Sequence, residues 1–476
     1  MTEAQQDRDA EALKRLGYEQ ELKRGLGRFS SFALSFSIIS ILTGAVLLYG
    51  HGLKFAGPFV MLVGWPLVTV MTLAVAASMA ELASAFPTAG ALYHWAAILG
   101  GRGTGFTTAW LNVVGQFAVT AAIDFGMAEF VVDLLQLPGG RTTKLAMTLF
   151  LLVGHGFLNV IGVKVLDAMN WLSAWYHVLG VVVIVALLVA LGPHQPVSIL
   201  LARTTISEHG YLYGFAIGLL QAQWTFTGYD ASAHVTEETI DPARAAPAGI
   251  IWSVVISGVA GWLLILAVTL ATPDLAAAAA SPDNTFIVSV TAAIGPTLGK
   301  VATWIAVLAM WFCGLASVTS NSRMLYAFAR DGGPPGSAAL AKVSKTRQTP
   351  VVAIWVSVGF AFGIAALGKI LSVMGALSTI ALYASYVVPV AAGLFARRSG
   401  RWTQRGPWNL GAWSTVVNVI AIAWVAFMTV VFVLPPNELA GWGFGGTLIA
   451  IALGWVLWAR KHFRGPKVTL EGLHGG

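Results

Sequence analysis

Long apolar runs, separated by short segments that hold most of the charge, decide what this chain can fold into. A helix needs about 20 predominantly apolar residues to cross the hydrocarbon core of a bilayer, and about twelve stretches here approach or exceed that length. They cover residues 29–49, 57–80, 106–135, 145–162, 166–191, 211–235, 249–270, 301–328, 351–367, 370–395, 413–434 and 443–458. Charged residues are 10% of the 476 and hydrophobic ones 57%, whereas a soluble domain carries about 25% charged residues. Such a chain cannot clothe itself in polar surface. Lipid must be its solvent, and the expected fold class is an all-α membrane protein.

The basic residues set the expected topology. With the N-terminus in the cytoplasm, the inner segments hold 22 of the 28 lysines and arginines, from Arg8 and Lys14 to Arg464 and Lys467. Such an excess is what the positive-inside rule requires of a correct span count and orientation. Both termini are therefore expected in the cytoplasm, and the chain in the cell (inner) membrane. The formal charge of +7 punctuates apolar runs and forms no basic face, so nucleic acid is not an expected partner. Residues 1–28 are polar and show no apolar core of a cleavable signal, so the first span serves as its own insertion signal. The single cysteine, Cys313, excludes a disulfide framework or thiolate cluster and reads as a packing residue. Two helices are expected not to span: 90–99, lying in the interface, and 284–294, outside.

Two spans hold more than packing glycines. The first contains Ser40-Ile41-Leu42-Thr43-Gly44, and the sixth Thr225-Phe226-Thr227-Gly228-Tyr229-Asp230. Gly44 falls 15 residues into its span and Gly228 17 residues into its own. Polar, glycine-interrupted segments at corresponding places in two halves are the best sequence pointer to a transporter's binding site. Unwinding there frees backbone groups that lipid cannot satisfy and a polar solute can. Taken singly, Ser and Thr in membrane helices usually bond back to their own backbone, and glycine usually permits close packing. The pairing of the two segments, and the ~2.5–3.5 kcal/mol insertion cost of a charge such as Asp230, favour function. The expected division is a segment 1–28, repeats over 29–192 and 211–397, two further spans over 411–459, and a tail 460–476.

Three motifs carry a family resemblance. Ala80-Glu81-Leu82-Ala83-Ser84-Ala85-Phe86-Pro87-Thr88-Ala89-Gly90 follows the second span. Gly228-Tyr229-Asp230-Ala231-Ser232-Ala233-His234, with Glu237-Glu238-Thr239, lies in and after the sixth. Asn321-Ser322-Arg323-Met324-Leu325-Tyr326-Ala327-Phe328-Ala329-Arg330-Asp331-Gly332 ends the eighth. Together the chain resembles the amino acid–polyamine–organocation (APC) permeases, most closely their amino acid/choline branch, over about residues 25–465. The resemblance implies a five-plus-five inverted-repeat (LeuT-like) core with two added helices, alternating access, and substrate held at the breaks of spans 1 and 6. The family's Gly-Ser-Gly reads Leu42-Thr43-Gly44 here. The lost glycine narrows the backbone approach and keeps amines, γ-amino acids and choline-like cations open beside ordinary amino acids.

Further roles follow from the resemblance. The segment Ser40 to Gly44 would bind substrate together with Trp224, Phe226, Thr227 and Gly228. Trp224 stands where related antiporters close an aromatic over substrate, and such a ring would also attract a cation. Gln116 in span 3 and Tyr383 in span 10 are further expected contacts, Tyr383 as an outer gate. Asp230 stands where an arginine-exchanging relative has a glutamate, and would couple to protons or steady the inner half of span 6 through local amides. His177, seven residues after Asn170, takes the place of a lysine that substitutes for sodium in many relatives, and its ordinary pKa suits a proton site. Ser317, Thr319 and Ser320 offer the alternative, a sodium site completed by Thr319 and Ser320. Arg323 either snorkels or forms a gate pair with Glu81 or Glu238; otherwise Glu237 and Glu238 read as solvated.

Other classes fit less well. There is no His-Glu-x-x-His pair or phosphate loop, so no enzyme activity or cofactor is expected. A channel would show filter loops or rings of charge. A sensor on a carrier scaffold remains as an alternative. The expected partners are a small amino acid or amine, a coupling proton or sodium ion, and lipid, with the protein a monomer or weak homodimer.

Overall fold

A computed structural model describes residues 3–368, 371–468 and 470; Ile370, the expected start of the tenth span, and most of 469–476 lie outside them. The elements among these residues are helical, and one isolated backbone bridge joins Leu26 to Thr239. In order they are α1 (Glu3–Arg15), α2 (Arg28–Ile39), α3 (Ile41–Leu47), α4 (Tyr49–Ala56), α5 (Trp65–Ala85), α6 (Ala91–Gly100) and α7 (Arg102–Leu134). Then follow α8 (Arg141–Ile161), α9 (Val163–Leu191), α10 (Tyr211–Gly218), α11 (Leu220–Thr225), α12 (Ala231–His234), α13 (Pro242–Ala271) and α14 (Leu275–Ala280). The rest are α15 (Thr285–Arg330), α16 (Ser337–Leu340), α17 (Val351–Leu367), α18 (Leu371–Arg398), α19 (Ser414–Val433), α20 (Glu438–Gly454) and α21 (Arg460–His462).

Nine helical segments among the described residues are long and apolar enough to cross a membrane, and α17 is a shorter apolar helix. The expected third and sixth spans are not among the nine. The sixth is cut into α10, α11 and α12, of eight, six and four residues. The third, α7, has 33 residues but carries a polar row, Asn112, Gln116, Thr120 and Asp124, and is buried around most of its girth.

Large apolar side chains cover much of the outer surface, and ionisable groups lie inside among an apolar core. Phe150, Phe157, Trp171, Trp175, Leu179 and Trp442 are exposed, while Asp124, His177, Asp230, Glu237 and Arg323 are completely buried. α7 packs against α18, α6, α15 and α8, and α13 against α5, α2 and α9. This arrangement suits hydrocarbon, where association rests on packing and buried polar contacts rather than on expulsion of water.

One local expectation is corrected. The helix expected at 90–99 forms as α6, but its residues from Ala91 to Leu99 are buried, so it does not lie in the interface. Trp95 Nε1 donates to Phe86 O at 2.9 Å and His94 is held by Thr88 and Asp331, which explains its inward position. The helix expected at 284–294 forms, capped by Asn284, and non-helical backbone at Gly295 (φ 82°), just before Pro296, separates it from the rest of α15. The polar N-terminal segment packs under the bundle: Gly25 N and Leu26 N donate to Glu238 O, both at 2.8 Å, and Ile240 N donates to Leu26 O at 2.9 Å.

Candidate functional site

The first expected span breaks at Ser40, whose φ of 28° and ψ of 84° fit neither α2 nor α3. The residue is pinned on two sides. Ser40 Oγ lies 2.6 Å from Thr43 Oγ1 and 2.8 Å from His177 Nε2. His177 Nδ1 is 2.8 Å from Ser173 O. In the neutral ring Nδ1–H donates to that carbonyl, and Nε2 accepts from the Ser40 hydroxyl. Ile41 and Leu42 are buried away from any opening; a Cβ at Gly180 of α9 would lie 3.0 Å from Leu42 Cδ1, so Leu42 occupies a notch in α9.

The sixth expected span unwinds between Thr225 and Ala231. Gly228 turns the chain with φ +85°, and a Cβ there would come within 2.1 Å of Ile38 Cγ2. Both the backbone angle and the close approach demand glycine. The freed backbone is met from α18: Tyr383 OH donates to Phe226 O at 2.5 Å, and Gly228 N donates to Tyr386 OH at 3.2 Å. Thr227 Oγ1 donates to Trp224 O at 2.7 Å. Below the break, Ser35 Oγ donates to Tyr229 O at 2.8 Å and Ser232 Oγ to Ser31 O at 2.7 Å, which ties α2 to α12.

The two breaks face each other. A Cβ at Gly44 would lie 2.4 Å from Thr225 Oγ1 and 2.7 Å from Thr225 Cα, so α3 and α11 touch only because residue 44 lacks a side chain. Between them remains a cavity of about 10 Å³, bordered by Thr43, Gly44, Trp224, Thr225, Thr227 and Cys313. That is room for about one water at most. Trp224, which borders the cavity, has its Nε1 buried without a partner. A larger, polar cavity of about 560 Å³ opens at the far ends of α3 and α7, among His51, Lys54, Glu129, Asp133, Lys144 and Asn284.

Asp230 is held by side chains rather than by local amides. Its Oδ1 accepts from Tyr386 OH at 2.8 Å, and its Oδ2 accepts from Asn112 Nδ2 at 3.2 Å and lies 3.0 Å from His234 Nε2. Gln116 Nε2 donates to Ser320 Oγ at 3.0 Å, and Thr319 Oγ1 lies 2.8 Å from Asn159 Oδ1. The hydroxyls of Thr319 and Ser320 are thus engaged by different helices, and Ser317 Oγ is buried without a partner.

The face that carries the N-terminal segment is closed by buried ion pairs. Arg323 donates to both carboxylate oxygens of Glu238, at 3.0 and 3.2 Å, and Nη1 donates to Asn159 Oδ1 at 3.1 Å. Arg330 donates to both oxygens of Glu237, at 2.9 and 2.8 Å. Glu237 and Glu238 are therefore not solvated, contrary to the sequence expectation; both are under 2% exposed. Burial raises the Glu237 carboxyl, but the charge and hydrogen bonds of Arg330 outweigh it and leave it below the usual carboxylate range. Of the two partners expected for Arg323, Glu81 is excluded. Arg397 Nη1 and Ser414 Oγ donate to it at 2.8 and 2.7 Å, where α5, α18 and α19 meet.

The family of this chain is decided by its match, over residues 26–459, to the family described as amino acid permease. It is 37% identical to "Amino-acid permease BAT1" of Arabidopsis thaliana, with 95% of each chain covered. It is 35% identical to "Amino-acid permease BAT1 homolog" of Oryza sativa subsp. japonica, with 97% of this chain and 96% of that one covered. A third relative, 28% identical over 84% of this chain and 93% of its own length, is "Putative amino acid/polyamine transporter MPH_07630_2" of Macrophomina phaseolina. The chain belongs to the amino acid permease family. This permease is therefore a multi-pass membrane transporter of the APC superfamily, not an enzyme, with a small molecule as its substrate.

The structure of the permease brings Thr43, Gly44, Trp224 and Thr227 to one cavity, and Ser40, Phe226, Gly228 and Tyr383 to the backbone around it. It sets Gln116, Asp230, Thr319, Ser320 and Arg323 in polar networks on the side of the N-terminal segment, and Glu81 apart from all of these. In the sequence Tyr386 and His234 are given no role, and Cys313 only a packing one. Spacing held a signal for two of them: His234 lies one helical turn after Asp230, and Tyr386 three residues after Tyr383. For Cys313 there was none.

Proposed function

We propose that this permease is a secondary active transporter that moves an amino acid or related small amine by alternating access. In this reading the substrate binds between the breaks at Ser40 and at Phe226–Asp230. Spans 1–5 (29–192) and 6–10 (211–397) form the two inverted repeats, and the last two spans stand outside them. The observation that carries it is the contact of α3 with α11 through Gly44 and Thr225, around a space too small for any amino acid. A solute can enter only if these elements part, which is the geometry of a carrier and not of a standing pore. The polar cavity among His51, Glu129 and Lys144 is the approach from one side; the Arg323–Glu238 and Arg330–Glu237 pairs bar the other.

The basic-residue bias puts the barred side in the cytoplasm of the cell membrane, with both termini there. The unpartnered Trp224 Nε1 and the hydroxyls of Thr43 and Thr227 supply the polar contacts, and the Trp224 ring supplies a face for an amine. Tyr383 steadies the Phe226 carbonyl, and His177 anchors Ser40. Uptake is coupled to protons or to exchange, and the working unit is a monomer or weak homodimer.

The test is flux by the purified protein in liposomes, with labelled amino acids, γ-aminobutyrate, choline and polyamines. Each is assayed with a pH gradient, with sodium and with internal counter-substrate. At least one compound is expected to accumulate or exchange saturably, and Trp224→Ala to abolish that flux. Ligand-induced stabilisation without flux would identify a sensor and sink the proposal. Sodium dependence without pH dependence would replace the coupling ion.

A further inference from the structure

One ionisable pair behind the central cavity has no part in the site above. Asp124 on α7 and His155 on α8 are fully buried, with Oδ1 and Nδ1 3.2 Å apart. The distance is that of an ion pair, but the groups are misaligned for a hydrogen bond. Both carboxylate oxygens and both ring nitrogens are buried with no hydrogen-bond partner. Buried polar atoms are rarely left so, and an ionisable residue at membrane depth is a functional site by default.

The fold makes room for this pair specifically. A Cβ at Gly314 of α15 would lie 2.6 Å from His155 Cε1 and 2.8 Å from Asp124 Oδ1. Trp311 packs edge-on to the imidazole with ring centres 5.4 Å apart. Around the pair, Leu47 of α3 fills the space at Gly126, and Trp355 and Val358 of α17 fill that at Gly156. The titratable neighbour is Cys313 of α15, close enough to feel the Asp124 charge, with its thiol donating to Ile38 O at 3.2 Å. His177 of α9 is engaged by Ser40 and Ser173.

The pair adjoins both parts of the transport machinery. Gly314 directly follows Cys313 in α15, and Cys313 borders the cavity itself. One turn along α8 from His155, Asn159 Oδ1 accepts from Arg323, the partner of Glu238.

Carrying one proton, the pair is neutral overall; without it, one negative charge remains. A dry interior opposes the uncompensated charge, and water admitted by an opening cavity removes that opposition. We propose that Asp124 and His155 together bind the coupling proton, one per cycle, taken up from water while the cavity is open to the side of higher proton concentration, held while it is closed and dry, and released to water when it opens to the other side. The proposal rests on the transport reading above.

The test uses the full-length protein in liposomes and whichever labelled compound of the panel the wild type carries, between about pH 5.5 and 8. Wild-type flux is expected to vary roughly tenfold with the profile of a single proton. Asp124→Asn and His155→Gln flatten the profile whatever the absolute rate, and Asp124→Glu restores pH dependence. Cys313, the one cysteine of the chain, gives a readout that needs no substrate. Its conversion to the methyl disulfide by methyl methanethiosulfonate, with methanesulfinate leaving, normalised at each pH to the unfolded protein, is expected to depend on pH in the wild type and not in Asp124→Asn. If no compound of the panel moves, the transport reading falls and the cysteine readout alone decides the pair. Flux without pH dependence, or an Asp124→Asn protein with the wild-type profile, overturns the proposal. Should Asp124→Asn not fold, His155→Gln and Asp124→Glu carry the test.

Discussion

Replacing Glu238 by Gln leaves the guanidinium of Arg323 buried with no counter-charge. Both residues are under 2% exposed, and Arg323 uses Nε and Nη2 on the two Glu238 oxygens at 3.0 and 3.2 Å. The amide of Gln can accept one of these bonds but turns its own N–H groups toward the other donor. Removing one partner of a buried ion pair costs about 3–5 kcal/mol. The pair joins α15 to the segment after α12, so the cost falls on the closed arrangement and is relieved when water reaches Arg323. Such a shift is about 150- to 5000-fold, enough to take a 99:1 closed state to near parity or beyond. The assay is alkylation of Cys313 in liposomes by an impermeant reagent added on the N-terminal side, together with thermal unfolding in detergent. Glu238→Gln is expected to react at least about tenfold faster and to melt lower. Adding Arg323→Gln removes the bare charge and is expected to recover part of the stability, a coupling that a double-mutant cycle measures. Wild-type alkylation and melting in Glu238→Gln, or strict additivity in the cycle, would refute the reasoning.

Two further outcomes are expected. Gly44→Ala places a methyl against the backbone of Thr225 at 2.7 Å, at an overpacking cost of about 1–3 kcal/mol. Gly228→Ala adds about 1–2 kcal/mol of left-handed strain at φ +85°; either variant is expected to lose flux, and wild-type kinetics in both would remove the breaks from the site. The second concerns Asp331, beyond the end of α15. Burial raises its carboxyl, but His94, the Tyr93 hydroxyl and Arg330 outweigh burial and hold it below the usual range. With an unfolded value near 3.9, its stabilisation is present above about pH 4 and is lost as pH falls through the lower folded value. The melting difference between wild type and Asp331→Asn is therefore expected to shrink below about pH 4; a difference constant from about pH 3 to 7 would contradict it.

How far the sequence reaches is clearest at the breaks. The segments Ser40–Gly44 and Thr225–Asp230 hold the two breaks, because glycine and hydroxyl residues advertise backbone conformation locally. The kink itself falls at Ser40, four residues earlier than glycine suggested, since His177 from α9 and Thr43 hold its hydroxyl. Asp230 is legible as an ionisable group in a span, but its partners Tyr386, Asn112 and His234 come from three elements. Glu237 and Glu238 read as solvated because they follow a span; their burial depends on Arg323 and Arg330, about 85 and 93 residues away in the chain.

Membrane residence, helical character and family follow from the sequence alone. Length and apolarity of a run are properties of consecutive residues, and the solvent acts on them directly. Tertiary structure alone decided which charges meet: Glu81 with Arg397 rather than Arg323, and Asp124 with His155 across two helices. A buried charge is tolerated only against a specific partner at about 3 Å, and that distance is set by the packing of helices far apart in sequence.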